Sequence, residues 1–223
     1  MKTNTKIYYA FLFLFINLLI LNPTTTEAHQ PNYIADQTNI EVIEPEISKA
    51  YYGELSGEEV IYTINSENDF ELYLGILSPD LPETYKDYSV KVIDKEDNQV
   101  IFLDGESFRW ERFYEEFAGD WYWKGPEFKA QVPFGEYLIK VSNPENKGKY
   151  VLAVGEIESF PLSTTFETFK QLIKVKENIF DKPWHSAFTN KMTLFTFLPI
   201  LLFVIILVVV ILFFKIRKQK SNS

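Results

Sequence analysis

The sequence predicts an all-β protein, with an antiparallel β-sandwich or jelly-roll-like domain held by one C-terminal transmembrane helix. Three observations predict this. Short runs of alternating apolar and polar residues recur between residues 49 and 160, separated by turn signals. No long helical pattern interrupts them, which favours antiparallel pairing in two packed sheets. Residues 192–214 form an uncharged apolar run that is long enough to cross a bilayer.

These patterns divide the chain into six segments, which differ in composition and periodicity. They are a signal peptide over 1–28, an extended arm over 29–48, the β-sandwich over 49–160, a juxtamembrane amphipathic helix and linker over 161–191, the transmembrane helix over 192–214 and a basic tail over 215–223.

The two apolar ends predict a type I single-pass protein of the cell membrane. Lys2 and Lys6 precede a short apolar run, and Thr26 and Ala28 are small residues of the kind that signal peptidase reads. An uncleaved first span is the alternative. Basic residues stay on the cytoplasmic side and aromatic residues favour the interface, so the sandwich is expected outside. The predicted interface residues are Trp184, Lys215, Arg217, Lys218 and Lys220.

Charge limits the partners of the predicted outer domain, and the lack of cysteine limits how that domain can be stabilised. Residues 29–191 contain 30 acidic and 16 basic side chains, a net charge of −14. Such a surface disfavours nucleic acid, which is itself an anion. The chain has no cysteine, so the packed core alone must stabilise the sandwich.

Eight strands and two helices are predicted from period and turn signals. The strands cover 50–55, 59–65, 70–77, 88–93, 99–103, 120–132, 136–142 and 149–154, with the turn Gly125-Pro126 interrupting the sixth. Aromatic residues at spacings of three and four predict a short helix over 107–117 that ends at Gly119. Residues 166–180 have the period of an amphipathic helix that packs on the sandwich or lies at the membrane.

The densest cluster of aromatic residues is the candidate ligand site. Exposed rings there would form a platform for a sugar or a peptide, and the flanking acids would accept hydrogen bonds. Large aromatic side chains are more often buried, so a core role is the competing interpretation. The candidate residues are Trp110, Asp120, Trp121, Tyr122, Trp123 and Glu127.

The sequence signals for a metal site or a catalytic site are weaker than those for the aromatic site. Asp94, Glu96, Asp97 and Asn98 place several oxygen ligands in one turn, so Ca²⁺ is a possible ligand, although a solvated hairpin turn explains the same residues. The two histidines lie near the ends of the outer domain, so no Ser–His nucleophile pair is expected within the sandwich. No other cofactor is predicted.

Two stretches resemble pre-peptidase C-terminal domains, over roughly residues 51–155. The first contains Gly53-Glu-Leu55-Ser-Gly57, Tyr62-Thr-Ile64 and Leu72-Tyr-Leu74, and the second contains Pro133-Phe-Gly135-Glu-Tyr137 and Gly148-Lys-Tyr150. The chain also resembles bacterial single-pass membrane proteins with a β-sandwich ectodomain, in which Trp-Lys-Gly-Pro-Glu precedes the closing strands. Both resemblances imply a fold and a location, and neither implies a reaction.

The resulting prediction is a membrane-anchored binding or assembly module without catalysis. Its expected partners are the lipid bilayer and a glycan or protein ligand outside the cell. The first alternative is a non-catalytic accessory subunit that joins other membrane subunits. The second is a hydrolase that uses paired carboxylates, which would need a cleft holding two acids a few ångströms apart.

Overall fold

The computed structural model describes residues 29–35, 37–116, 118–159 and 163–221, with some side chains between 191 and 221 left out of the description. The leader predicted over 1–28 lies outside the described residues. The β-sandwich and its helix form one compact unit, and the C-terminal helix belongs to a second.

Two sheets form in the described part of the chain, with six and five strands. The six-stranded sheet contains β1 (Gln30–Ala35), β3 (Lys49–Ser56), β5 (Phe70–Pro79), β8 (Glu111–Glu115), β9 (Asp120–Val132) and β11 (Lys147–Val154), in the order β1-β3-β11-β5-β9-β8. The five-stranded sheet contains β2 (Asn39–Glu41), β4 (Val60–Ser66), β6 (Ser89–Asp94), β7 (Gln99–Leu103) and β10 (Gly135–Ser142), in the order β2-β4-β10-β6-β7. The prediction of a β-sandwich is therefore confirmed.

The main core lies between the sheets because alternate residues of each strand point inward. In β4, Val60, Tyr62 and Ile64 are all buried, and the same alternation recurs in β10. Two buried tyrosines from opposite sheets, Tyr62 and Tyr150, share a hydrogen bond of 2.8 Å between their hydroxyl oxygens. Each hydroxyl thus satisfies the other in an interior where an unpaired polar group would be costly.

A second core lies on the outer face of the six-stranded sheet, beneath α1 (Thr165–Asn178). The amphipathic helix predicted over 166–180 is thus present and packs on the sandwich. Val175 of α1, with Ile179 and Phe180 that follow it, belongs to the same buried cluster as Tyr52 and Tyr122 of the sheet. This second layer explains why the central strands bury residues on both faces.

The helix predicted over 107–117 is wrong, because residues 111–115 form the edge strand β8. Arg112 lies opposite Trp123 and Tyr114 lies opposite Trp121, so β8 and β9 make an antiparallel hairpin. Gly119 has a φ of +79° in the connecting turn, where its N–H donates to the Glu115 carbonyl. The glycine predicted to end a helix instead allows the hairpin turn.

The turn predicted at Gly125-Pro126 is also wrong, because β9 continues through both residues. The register against β5 shifts between Gly75 and Leu77, so the irregularity is a bulge within the strand. Gly125 is required there because a Cβ atom would lie 2.7 Å from the Trp110 ring and 2.8 Å from the Ile76 carbonyl oxygen.

The segment predicted as an extended arm over 29–48 supplies two short strands, one for each sheet. β1 runs parallel to β3, and β2 runs parallel to β4. These parallel pairs place residues 30–35 and 39–41 at one edge of each sheet.

After α1, a short 3-10 helix covers Trp184–Phe188, and α2 (Lys191–Ser221) runs as one helix of 31 residues. Among the residues that the structure describes, none of the helices meets the length and apolarity required for crossing a membrane.

Candidate functional site

The β8–β9 hairpin holds most of the predicted aromatic site, but its rings have different surroundings. Trp110, just before β8, is buried and donates from Nε1 to the Gly105 carbonyl at 2.8 Å. Its ring meets Tyr88 edge to face at 6.4 Å. Trp110 therefore closes this end of the main core and offers no surface to a ligand.

Tyr122 faces the opposite way, into the second core beneath α1. Its ring stacks on Phe113 at 5.8 Å and meets Phe180 edge to face at 5.4 Å. Its hydroxyl is 3.0 Å from the hydroxyl of Tyr52, and burial raises the pKa of Tyr122 well above its usual value. This ring stabilises the helix–sheet contact.

Trp123 is half-buried against the main core. Its Nε1 donates to Asp80 at 2.9 Å, and the Lys86 ammonium lies 3.9 Å from its ring centre. Indole, carboxylate and ammonium therefore satisfy one another at the border between core and solvent.

Trp121 and Tyr114 remain open to solvent, side by side on the two strands. Their ring centres are 5.2 Å apart, and their exposed fractions are 44% and 46%. The Arg112 guanidinium lies 4.2 Å from the Trp121 ring and forms a 2.6 Å ion pair with Asp80. We call these two rings the Tyr114–Trp121 pair. Arg112 and Asp80 give it a fixed polar border, and neither was predicted as a site residue.

Asp120 faces inward instead of flanking a ligand surface. It is buried and accepts hydrogen bonds from Lys176 of α1 and, at 2.6 Å, from Lys182. Lys176 also donates to the Ala118 carbonyl at 2.7 Å. Burial lowers the pKa of Lys176, and the neighbouring Asp120 carboxylate opposes that shift. These three charged side chains, the Asp120 clamp, fasten α1 to the start of β9.

Glu127 lies further along β9, away from the Tyr114–Trp121 pair. Its carboxylate accepts from the Tyr73 hydroxyl at 2.7 Å and pairs with Lys124 at 2.7 Å. The hydrogen bond with Tyr73 ties β9 to β5, and the ion pair with Lys124 lies within β9.

The acidic turn between β6 and β7 is organised by hydrogen bonds from its own backbone. Asp94 Oδ1 accepts from the N–H groups of Asn98 at 2.9 Å and Glu96 at 3.0 Å, and these bonds lower the pKa of Asp94. Asp97 has a φ of +64° in the same turn. Across the described ranges, no group of three His, Cys, Asp or Glu residues is arranged to hold a metal ion.

Ser48 and His29 form a hydrogen-bonded pair that the sequence did not indicate, whereas the prediction concerned a nucleophile pair within the sandwich. β1 pairs in parallel with β3, so His29 before β1 lies beside Ser48 before β3, and the Ser48 hydroxyl contacts His29 Nδ1. Burial lowers the pKa of His29 to about 4, so the imidazole is neutral at pH 7. Since Ser48 is only 2% exposed, the pair forms a buried link between two strands.

The predicted membrane-interface residues lie after α1. Trp184 is exposed in the 3-10 helix, and Lys215 is exposed in α2. The side chains of Arg217, Lys218 and Lys220 lie outside the described set.

Comparisons with known proteins found only weak likeness in structure. No family model and no curated protein sequence matches the chain. The pre-peptidase C-terminal domain of a Bacillus anthracis collagenase shares 12% identity with a TM-score of 0.31, covering 59% of this chain and 98% of that domain. The Yersinia pseudotuberculosis-derived mitogen shares 15% identity with a TM-score of 0.33, covering 52% of this chain and 91% of the mitogen.

A β-glucosidase from Paenibacillus barengoltzii shares 9% identity with a TM-score of 0.24. It covers 60% of this chain, which spans only 14% of the enzyme. Likeness at these scores carries no argument about function. The class of the protein, a β-sandwich, rests on its two sheets.

Proposed function

We propose that this chain is a membrane-anchored binding module that presents the Tyr114–Trp121 pair to a saccharide outside the cell and performs no catalysis. The observation that supports this most directly is the exposure of two touching aromatic rings beside a fixed arginine. Phe102, Phe108 and Phe134 of the described sandwich are exposed as well, whereas the Tyr114–Trp121 pair joins two exposed rings side by side. Adjacent exposed rings are typical of a surface that a partner covers.

A saccharide suits the chemistry of this surface. The apolar face of a sugar ring packs on an indole or phenol ring, while its hydroxyl groups need donors and acceptors at the border. Arg112 supplies N–H donors, and its ion pair with Asp80 holds the guanidinium in place before any ligand arrives. Little side-chain entropy would then be lost on binding.

Replacing Trp121 with alanine should lower saccharide binding by about tenfold or more, because an exposed aromatic anchor contributes over 1 kcal/mol at a binding surface. The full chain in detergent would be screened on an array of hexose and N-acetylhexosamine oligosaccharides, and the hits measured by titration calorimetry. Trp184→Ala is the matched control, since it removes another exposed tryptophan. Equal loss in both variants, or no array signal above background, would contradict the proposal.

The membrane anchor is part of the same proposal. Its support is the sequence of residues 192–214, which contain no charged side chain and lie within the continuous helix α2. The proposal goes beyond the described residues, among which none of the helices meets the requirements for a span. By the positive-inside rule, the basic residues that follow favour a tail in the cytoplasm and an acidic sandwich outside.

Replacing Ile206 and Val209 with aspartate should remove the protein from the membrane fraction, because each central carboxylate costs about 3 kcal/mol in a span. Ile206→Leu with Val209→Leu is the control and should remain in the membrane. The measured quantity is the fraction of the protein that remains in the membrane after alkaline extraction. Retention of the aspartate variant would exclude a spanning α2.

Cysteine labelling tests the orientation independently, because the chain has no cysteine of its own. Glu58→Cys should react with an impermeant maleimide on intact cells, and Ser223→Cys should react only after permeabilisation. If the anchor is correct but no saccharide binds, and the chain co-purifies with another membrane protein, the accessory-subunit alternative replaces the binding module.

A further inference from the structure

β7 forms a free edge of the five-stranded sheet. It pairs with β6 on one side, and no strand of the described chain pairs with its other side. The N–H and C=O groups along that side are therefore available to another strand, as at any open sheet edge.

The side chains of β7 do not protect this edge. Its sequence, Gln-Val-Ile-Phe-Leu, has no charged residue and no proline, the usual devices against unwanted pairing. Val100 and Phe102 have exposed fractions of 48% and 52%. An apolar, unprotected edge is typical of a strand that receives a partner.

A cavity of about 350 Å³ lies beside the β7 edge, between the two sheets. β8 pairs only with the first part of β9, up to Lys124, so the second part of β9 also lacks a neighbour there. Phe128 and Val132 of β9 line the cavity together with Ile101 of β7. The cavity also has polar residues on its lining, among them Glu96 and Gln131, so its apolar part would take alternate side chains of an added strand.

Acidic residues flank β7 at both ends. Asp94, Glu96 and Asp97 occupy the turn before it, and Lys95 in that turn pairs with Glu96 at 3.6 Å. Asp104 follows β7, with Glu106 two residues later. Hydrogen bonds lower the pKa values of Asp94 and Asp104, so both carboxylates are ionised at neutral pH.

We propose that the β7 edge binds an extended peptide with an alternating apolar centre and basic residues at both ends, which adds as a sixth strand to the sheet. The backbone edge provides the pairing, the cavity takes alternate apolar side chains, and the acidic flanks select basic ends. A second copy of this chain fits less well, because antiparallel self-pairing would bring the acidic turn of each copy beside Asp104 and Glu106 of the other. This site is independent of the Tyr114–Trp121 pair.

The test uses the full chain in detergent and a capped, fluorescein-labelled peptide of sequence KKVTVTVKK. We expect saturable binding by fluorescence anisotropy that weakens as salt is raised. Hydrogen exchange should slow at residues 99–103 when the peptide binds. Phe102→Lys should lower the affinity by about tenfold or more, since it removes apolar contact area and adds a repelling charge. The matched control is Ile43→Lys, which places the same charge at another exposed apolar residue and should bind the peptide normally.

Phe102→Thr separates the apolar contribution from the charge, and Glu96→Gln with Glu106→Gln tests the acidic flanks. Both should weaken binding.

The proposal is overturned if a peptide with proline at the central valine binds equally, if an EEVTVTVEE peptide binds equally, or if none of these variants weakens binding. It is also overturned if the chain self-associates and protection of residues 99–103 appears without peptide.

Discussion

Replacing Asp120 with alanine is expected to destabilise the sandwich by about 3–5 kcal/mol, because it leaves a buried ammonium without its counter-ion. Lys176 is only 1% exposed, and the Ala118 carbonyl would remain as a hydrogen-bond acceptor for its ammonium. Lys182 loses less, since its side chain is partly exposed and reaches solvent. The cost therefore comes mainly from the unpaired charge of Lys176 beneath α1.

Denaturant unfolding followed by tryptophan fluorescence measures this cost. Lys170→Ala is the matched control, because the Lys170–Glu167 ion pair of the same helix is exposed on both sides and should contribute no more than about 0.5 kcal/mol. The double variant Asp120→Leu with Lys176→Met should recover most of the loss, since apolar residues often replace a buried ion pair without penalty.

Hydrogen exchange adds a local measurement of the same clamp. In Asp120→Ala, the amides of α1 should exchange faster relative to those of β4, which lies in the other sheet. The assignment of the clamp fails if Asp120→Ala unfolds at the same denaturant concentration as Lys170→Ala.

The clamp also shows what the sequence signals and what it leaves open. Lys176 falls on the apolar stripe of α1, at helical spacing from Leu172 and Ile179. A lysine on a buried stripe predicts a buried anionic partner, and this signal was available. The sequence does not identify that partner, because Asp120 lies on a strand 56 residues away.

Strands with clear alternation, such as β4 and β10, were predictable because one face of each is fully buried. β8 was not, because its aromatic residues occur at spacings that fit a helix as well as a strand. Its pairing with residues 120–124 decided the outcome, and such tertiary pairing overrides local propensity.

Trp121, Tyr122 and Trp123 of the candidate site show the same limit of prediction from sequence. Alternation predicts that Trp121 and Trp123 lie on one face of β9 and Tyr122 on the other. It does not say which face is covered. Tyr122 is buried because α1 packs on its face, and Trp121 is exposed because it lies where the inner face extends beyond the core.

The free energy of unfolding should fall by about 3 kcal/mol as the pH is lowered from 6.5 to about 4, through His29 alone. Burial lowers the pKa of folded His29 from 6.5 to about 4, so in this range the unfolded chain binds a proton that the folded chain does not. Lower pH therefore favours unfolding, with a slope approaching 1.4 kcal/mol per pH unit. From about one pH unit above 6.5, the imidazole is neutral in both states and the contribution of His29 is constant.

His29→Asn isolates this term, because asparagine keeps a polar atom near Ser48 and does not titrate. The measurement is the difference in unfolding free energy between wild type and variant, determined at intervals from pH 3.5 to 8. The difference should change mainly between pH 6.5 and 4 and become level by about pH 7.5, while carboxylate titrations common to both proteins cancel. A difference that stays level throughout would show that His29 titrates alike in the folded and unfolded chains, and that parallel pairing of β1 with β3 does not bury it beside Ser48.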